Sequence, residues 1–351
     1  MDKISVIVAA YNVEKYIKTC LLSLKNQTYK EIEVIIINDG STDQTNNIIE
    51  NFMEENPQMK IKYHQHDTNK GSSAARKTAL QYIEGDYIHI LDSDDFIKPD
   101  TYKQAINRIK ETKSDVCFWG WIDLTEDRNI LFEYEKKYHY FEDILTGVEV
   151  CKRKILRWLW ICSGNALYSS SIVKKSYPVF YENLNMGEDF YFICKVLLNS
   201  NRVCCVPQQN FYCINRDGSM THEKYTEGIL QVFSLFQKLE EDLLNHNLLS
   251  ETEKNDLCAV LKAEIRRSYI AYAKLACHTY YKRPINEMYN VIKKLPYTHC
   301  LLKKKYYDQI VSKQYHFEYY FLHYIPYIYC IIYKWILYIK NNYQLMMQKE
   351  S

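Results

Sequence analysis

The sequence predicts a largely parallel α/β sheet flanked by helices and followed by a helical C-terminal extension. Two observations predict it. Short β-branched runs alternate with amphipathic stretches from Ile4 to Asp94, the βαβ pattern of a parallel sheet. Beyond about Glu223 the texture turns helical, with long apolar periodicity through Leu275.

The strands are expected at ISVIVAA (4–10), IEVIIIN (32–38), KIKYHQH (60–66) and DYIHIL (86–91). The first, second and fourth are apolar enough to be buried on both faces. Between them, apolar residues at 16, 17, 21, 22 and 24 mark a helix within 14–25. Thr42 or Asp43 is expected to cap a helix through about Glu55, and the alanine-rich stretch 71–83 forms a third. After residue 115 the pattern loosens into mixed strand and helix, with aromatic clusters FWGW (118–121) and WLW (158–160).

The 351 residues suit one large catalytic domain with an appendage. With 45 basic against 43 acidic residues the net charge is +2, which supplies no field to hold a nucleic acid. Twelve cysteines lie scattered through apolar segments and lack zinc-ligand spacing, and the start MDKISVIVAA has no signal-peptide pattern. Buried, inert thiols in a reducing cytoplasm are the expectation.

In open parallel sheets ligands bind beyond the carboxyl ends of the strands, so the loops there form one candidate site. Asp92-Ser93-Asp94-Asp95 packs carboxylates at a strand end, where hard oxygens suit Mg²⁺ or Mn²⁺ bridging phosphates. They can equally be solvated turn residues. Asp39 stands between a buried strand and the Gly40-Ser41 turn, placed to accept from a nucleobase N–H, although Asp-Gly-Ser is also an ordinary turn. Ala10 and Tyr11 close the first strand with a small residue and a ring that can stack on a base or pack under the first helix. Gly71 and Arg76 offer flexible backbone and positive charge near a helix start, as a diphosphate needs; a solvated basic helix face reads the same way.

In this order and spacing, SVIVAAYNVEKYI, IEVIIINDGSTDQT, NKGSSAARKTAL and GDYIHILDSDD resemble family 2 of glycosyltransferases, inverting enzymes of GT-A fold with a Rossmann-like nucleotide-binding half, many of them in bacterial surface-polysaccharide assembly. The resemblance is dense over residues 3–96 and thinner to 222. It implies that Tyr11 and Asp39 hold the base, Asp92 the ribose, Ser93 lies beside the nucleotide, and Asp94 binds the divalent metal. By the same resemblance Glu188 and Asp189 start a helix beneath the acceptor, with Asp189 the catalytic base. Arg216 and Ser219 would close over the diphosphate, and His222 is noted as an extra metal ligand. Asn165 departs from the pattern, since many relatives carry a basic residue before the equivalent Leu-Tyr. Helix-dipole complementation accounts equally for the acidic pair taken alone.

Trp119, Trp121 and Trp160 have faces suited to acceptor sugars, with core packing as the alternative. The implied organisation is a GT-A domain over 1–222 (donor half 1–115, acceptor half 116–222), a helical extension over 223–300 and a Tyr/Lys-rich tail over 301–351. The tail holds 11 of the 33 tyrosines and seven lysines against three acidic residues. Its segment 316–340 is interrupted by Glu318, His323, Pro326 and Lys334, so a helix lying in a membrane interface, on the inner face of the cell membrane, is expected over a spanning one, with packing back on the catalytic domain as the alternative. The implied co-substrate is a nucleotide-sugar, with uridine favoured, and the acceptor a saccharide or lipid-linked saccharide. A catalytically inactive nucleotide-sugar-binding protein of the same fold and a nucleotidyltransferase are the competing readings. The latter is expected to carry a glycine-rich triphosphate loop after the first strand, which Ala9-Ala10-Tyr11-Asn12 does not supply.

Overall fold

The structure, a computed structural model, describes residues 2–182, 184, 186–216, 225–296, 318, 321–322 and 324–347, the last eight of these by backbone alone. The chain divides into two compact units, Met1–Asp217 and Gly218–Ser351.

The first unit opens as β1 (Ile4–Ala10), α1 (Ile17–Lys25), β2 (Ile32–Asn38), α2 (Thr45–Glu55), β3 (Lys60–Gln65), α3 (Ser72–Ala79) and β4 (Tyr87–Ile90). It continues through β5 (Phe96–Ile97), α4 (Thr101–Thr112), β6 (Val116–Thr125), β7 (Ile130–Glu133), α5 (Gly147–Ile155), β8 (Ala166–Ser169), α6 (Ser170–Lys175), α7 (Glu188–Asn199) and β9 (Val203–Asn215). Among the described residues these strands form one nine-stranded sheet in the order β3-β2-β1-β4-β8-β6-β9-β5, with β7 pairing β6.

Strands β1 to β4 are all parallel, with Ala10 beside Asn38 and Ile7 beside Ile90. The strand order reverses between β1 and β4, so the crevice for a ligand opens beyond their carboxyl ends. Antiparallel pairings of β8, β5 and β7 make the sheet mixed beyond β4, where β6 and β9 again run parallel. Val6, Ile7, Val8 and Ile35 to Ile37 are fully buried, at about 1.5–3 kcal/mol for each large aliphatic side chain.

Two local expectations change. Helix α2 starts at Thr45 after Gln44, and the Asp43 carboxylate accepts from the backbone N–H groups of both Thr45 and Glu14, clamping two loops together. Helix α3 stops at Ala79 because the following turn carries the Glu84 N–H to the Glu33 carboxylate and the Gly85 N–H to Ser5 Oγ, each at 2.8 Å. Tertiary bonds override alanine propensity there.

The second unit contains α8 (Leu230–Leu244), α9 (Glu251–Tyr280), α10 (Ile285–Lys294) and α11 (Pro326–Met347). Helix α9 begins with a reciprocal capping box between Ser250 and Glu253. Helix α11 packs on α9 and α10 through buried Tyr329, Cys330 and Leu337, and Lys334 Nζ donates to Arg283 O at 2.6 Å. No helix among the described residues is long and apolar enough to cross a membrane.

Candidate active site

The loops after β1 and β2 are bonded to each other. The Asp39 N–H donates to Ala10 O at 2.8 Å, Ser41 Oγ accepts from the Asn12 N–H at 3.1 Å, and Asn12 Oδ1 accepts from the Thr42 N–H at 2.9 Å. Ala10 is buried at this junction, and Tyr11 projects with 42% of its surface exposed. Gly40 has φ +71°, the left-handed region open to glycine, and a Cβ there would lie 2.7 Å from the Thr68 carbonyl carbon. That close approach lets the loop after β3 cover Asp39.

Asp39 is 3% exposed. Its Oδ1 meets His66 Nδ1 at 2.6 Å and the Lys70 N–H at 3.0 Å, while Oδ2 accepts from Gly71 N–H at 2.7 Å. His66 Nε2 in turn meets Thr78 Oγ1 at 3.0 Å. Three groups therefore fix the carboxylate, the Lys70 N–H reaching both of its oxygens, at 3.0 and 3.1 Å. The sequence does not mark His66 as part of this site; its only signal there is its place at the end of β3.

Arg76 rises from α3 into the same region. Nη2 donates to Asp92 Oδ1 at 2.7 Å and Nη1 to Glu188 Oε1 at 3.0 Å, and Ser72 Oγ adds a bond to Glu188 Oε1 at 2.9 Å. Asp92 Oδ2 accepts from Ser163 Oγ at 3.3 Å, and Ser93 is buried beside it. Each Nη group of Arg76 donates to one carboxylate and carries a second N–H besides.

The Asp94 Oδ2 atom pairs with Arg216 Nε at 2.6 Å, and the guanidinium lies 5.2 Å from the Tyr16 ring centre. Burial, and then the charge of Asp92, push the Asp94 carboxyl above the usual range, with Arg216 opposing. Asp95 is buried and accepts from the Ile214 N–H at 2.9 Å, a bond that ties the loop after β4 to the end of β9.

Helix α7 begins after Gly187, at φ +81°, with Glu188 and Asp189 in its first turn. Glu188 is 6% exposed, and its carboxyl is pushed up to about 7, by burial first, with Arg76 opposing and Asp189 reinforcing. Asp189 is half-buried, and its Oδ1 accepts from the Phe190 N–H at 2.7 Å. The fully buried Lys154 donates to Ile161 O at 2.7 Å and lies 4.2 Å over Trp160 and 5.0 Å from the ring centre of Phe190, the residue after Asp189. Nothing in the sequence marks Lys154, because the rings it faces lie on other segments.

Three aromatic expectations are resolved. Trp119 is fully buried with its ring centre 5.5 Å from that of His89, so it offers no face to a sugar. Trp121 is 8% exposed among Phe132, Tyr134 and Tyr138, and its Nε1 donates to Asp123. Both are core residues, which corrects their reading as acceptor platforms. Trp160 is half-buried against Lys154. Asn165, where the family pattern has a basic residue, is a buried staple donating to Trp119 O at 2.6 Å. Ser219 and His222 lie outside the described residues.

Known proteins resemble this chain over the same region. Residues 5–175 match the family described as Glycosyl transferase family 2. An uncharacterized glycosyltransferase of Haemophilus influenzae is 43% identical over 213 residues, 58% of this chain and 84% of that protein. The poly(ribitol-phosphate) beta-N-acetylglucosaminyltransferase TarS of Staphylococcus aureus is 31% identical over 265 residues, covering 74% of this chain. The chain spans 43% of the length of TarS and 34% of glycosyltransferase GlyA of Streptococcus pneumoniae. A crystal structure of TarS 1–349 in complex with UDP-GlcNAc superimposes with a TM-score of 0.64 at 25% identity, covering 83% of this chain and 84% of that one. The fold is thus GT-A-like, and the chain belongs to glycosyltransferase family 2.

Proposed function

We propose that the protein is an inverting transferase that moves a hexosyl or N-acetylhexosaminyl group from a UDP-sugar to a hydroxyl of a saccharide or lipid-linked saccharide in surface-polysaccharide synthesis. The observation that carries this reading is the Arg76 bridge, since one side chain joins Asp92 at the end of β4 to Glu188 at the start of α7. A donor-side and an acceptor-side carboxylate thereby share one crevice. The UDP-GlcNAc complex of TarS supports the choice of donor class.

Tyr11 stacks on the base and Asp39 accepts its N–H. Ala10 and Gly71 allow close backbone approach, Asp92 binds the ribose, and Ser93 lies beside the nucleotide. Arg216 and Ser219 close on the diphosphate. Asp189, at the acceptor end, takes the proton from the attacking hydroxyl as the new O–C1 bond forms and the C1–O bond to the diphosphate breaks, leaving the anomeric centre inverted.

Among the described residues no trio of His, Cys, Asp or Glu is arranged as a complete metal-binding set. The residues nevertheless fit a divalent ion. Mg²⁺ and Mn²⁺ at phosphate sites take one or two carboxylates and complete their shell from the diphosphate and water, and the upward push on Asp94 marks a demand for positive charge. Asp94 would hold Mn²⁺ or Mg²⁺, which when bound supplies neutralisation of charge on the leaving diphosphate.

The same reading takes residues 1–222 as the catalytic part, 223–300 as a helical extension and 301–351 as a tail in peripheral contact with the inner face of the cell membrane. The exposed Ile328, Ile331, Trp335, Tyr338 and Ile339 on α11 support that contact. Release of nucleoside diphosphate from UDP-, GDP- and dTDP-sugars, with Mn²⁺, Mg²⁺ or EDTA, tests the proposal. Metal-dependent release from UDP-sugars that Asp94→Ala abolishes is expected. Tight nucleotide binding without turnover, even with lipid-linked acceptors, would point to a binding protein instead.

A further inference from the structure

Arg76 is a buried charged group held from two sides. Its side chain is 7% exposed, both Nη atoms are held by carboxylates 16 and 112 residues away in sequence, and its buried Nε has no hydrogen-bond partner among the described residues. The Phe180 ring centre lies 5.9 Å from the guanidinium carbon and closes that side. One buried guanidinium therefore serves two carboxylates, that of Glu188 8% exposed, where screening is weak, and that of Asp92 38% exposed.

We infer that Arg76 is a positioning residue that couples donor binding at Asp92 to acceptor placement at Glu188. Its two forks hold the end of β4 and the start of α7 at a fixed separation. When one carboxylate loses its charge, the guanidinium is held more firmly by the other, so a change on the acceptor side reaches the donor side. The bridge requires the planar fork of an arginine, because a lysine ammonium keeps the charge but cannot span both partners. Ser72 provides an internal contrast, because it bonds Glu188 without touching Asp92.

The inference rests on the donor and acceptor reading given above, and a mutant cycle separates the two. Donor and acceptor KM and kcat are measured for the full chain and for Glu188→Gln, Asp92→Asn, the double variant, and Ser72→Ala. Glu188→Gln is expected to change donor KM by about threefold or more while Ser72→Ala leaves it within about twofold, and the Glu188/Asp92 double variant should deviate from the product of the singles by about fivefold or more. In an Arg76→Lys background the deviation should vanish. Singles that multiply in the wild-type background would overturn the link, as would a deviation of equal size with lysine. If Arg76→Lys does not fold, as read from its melting temperature, the wild-type cycle alone decides. Absence of nucleotide binding in the unmodified chain would instead sink the underlying functional reading.

Discussion

Arg216 Nε lies 2.6 Å from Asp94 Oδ2, so a guanidinium sits against the carboxylate that would hold a divalent ion. The pair offsets the cost of burying Asp94, and a cation arriving with a diphosphate would let Arg216 turn from the carboxylate to the phosphates. Arg216→Gln is therefore expected to strengthen Mn²⁺ binding in the absence of nucleotide and to weaken UDP binding by about tenfold, the scale of one charge-assisted hydrogen bond. Electron paramagnetic resonance of free Mn²⁺ and a UDP titration check both halves. Unchanged Mn²⁺ affinity would mean that Arg216 does not guard Asp94.

Gly40→Ala is expected to raise the donor KM and lower stability by about 1–3 kcal/mol. The added methyl would stand 2.7 Å from Thr68 C and 2.8 Å from Asn69 N, in the loop that delivers the Lys70 and Gly71 amides to Asp39. Kinetics and urea denaturation of the variant read the two effects. A variant with wild-type donor KM would show that the amide cradle is not needed for the nucleotide.

At the opposite end of the strands, Glu33 is buried against Lys3 at 2.8 Å and Lys62 at 3.1 Å. Burial pushes its carboxyl up, but hydrogen bonds from Lys3, Ser5, the Glu84 backbone and Lys62 outweigh this and hold it down to about 2. A depressed folded value gives stability that is present above the unfolded value of 4.5 and is lost as pH falls from there toward 2. Glu33→Gln should cost about 2–3 kcal/mol near neutral pH, with the difference shrinking as pH approaches 2. Glu188 has the opposite sign: its raised value makes the ionised form a burden, so its contribution to stability falls as pH rises from 4.5 toward 7. Urea melts of Glu33→Gln and wild type at both ends of the range test this; an equal difference at both would contradict it.

The outward half of α11 carries Tyr327, Ile328, Ile331, Ile332, Trp335, Tyr338 and Ile339, all more than a third exposed, and neighbouring α10 exposes Lys293. A helix apolar on both halves needs a second apolar partner, and Trp and Tyr suit the headgroup level of a bilayer. Wild type is expected to float with anionic phospholipid vesicles, and Trp335→Ser/Ile339→Ser to lose most of that binding while retaining UDP release with a soluble acceptor. Equal flotation of the two proteins would refute the membrane reading, and self-association abolished by the same variant would assign the face to a second copy.

The parallel half of the fold is legible in the sequence because β1, β2 and β4 are continuous apolar runs buried on both faces, and because turn residues such as Gly40 announce where each strand ends. The positions of Asp39, Asp92 and Asp94 at strand ends are legible for the same reason. Their partners are not. Arg76 reaches Glu188 across 112 residues, and neither residue's neighbours in sequence announce the pairing. His66 and Lys154 stay hidden for the same cause, since each acts through contacts made by folding. Trp119 shows the reverse difficulty: an indole suits a sugar face and a hydrophobic core equally, and only burial separates them. The antiparallel strands β5, β7 and β8 are two to four residues long, too short to leave a periodic signal.

The proposed transfer turns on proton removal by Asp189, and transfer from UDP-GlcNAc by wild type and Asp189→Asn, with UDP affinity measured alongside, tests that step. Unchanged UDP affinity and a loss of about 10²–10⁴-fold in kcat are expected, the contribution of a positioned general base. Transfer at the wild-type rate by Asp189→Asn would contradict that role, and a wild-type chain that binds no UDP would contradict the donor site as well.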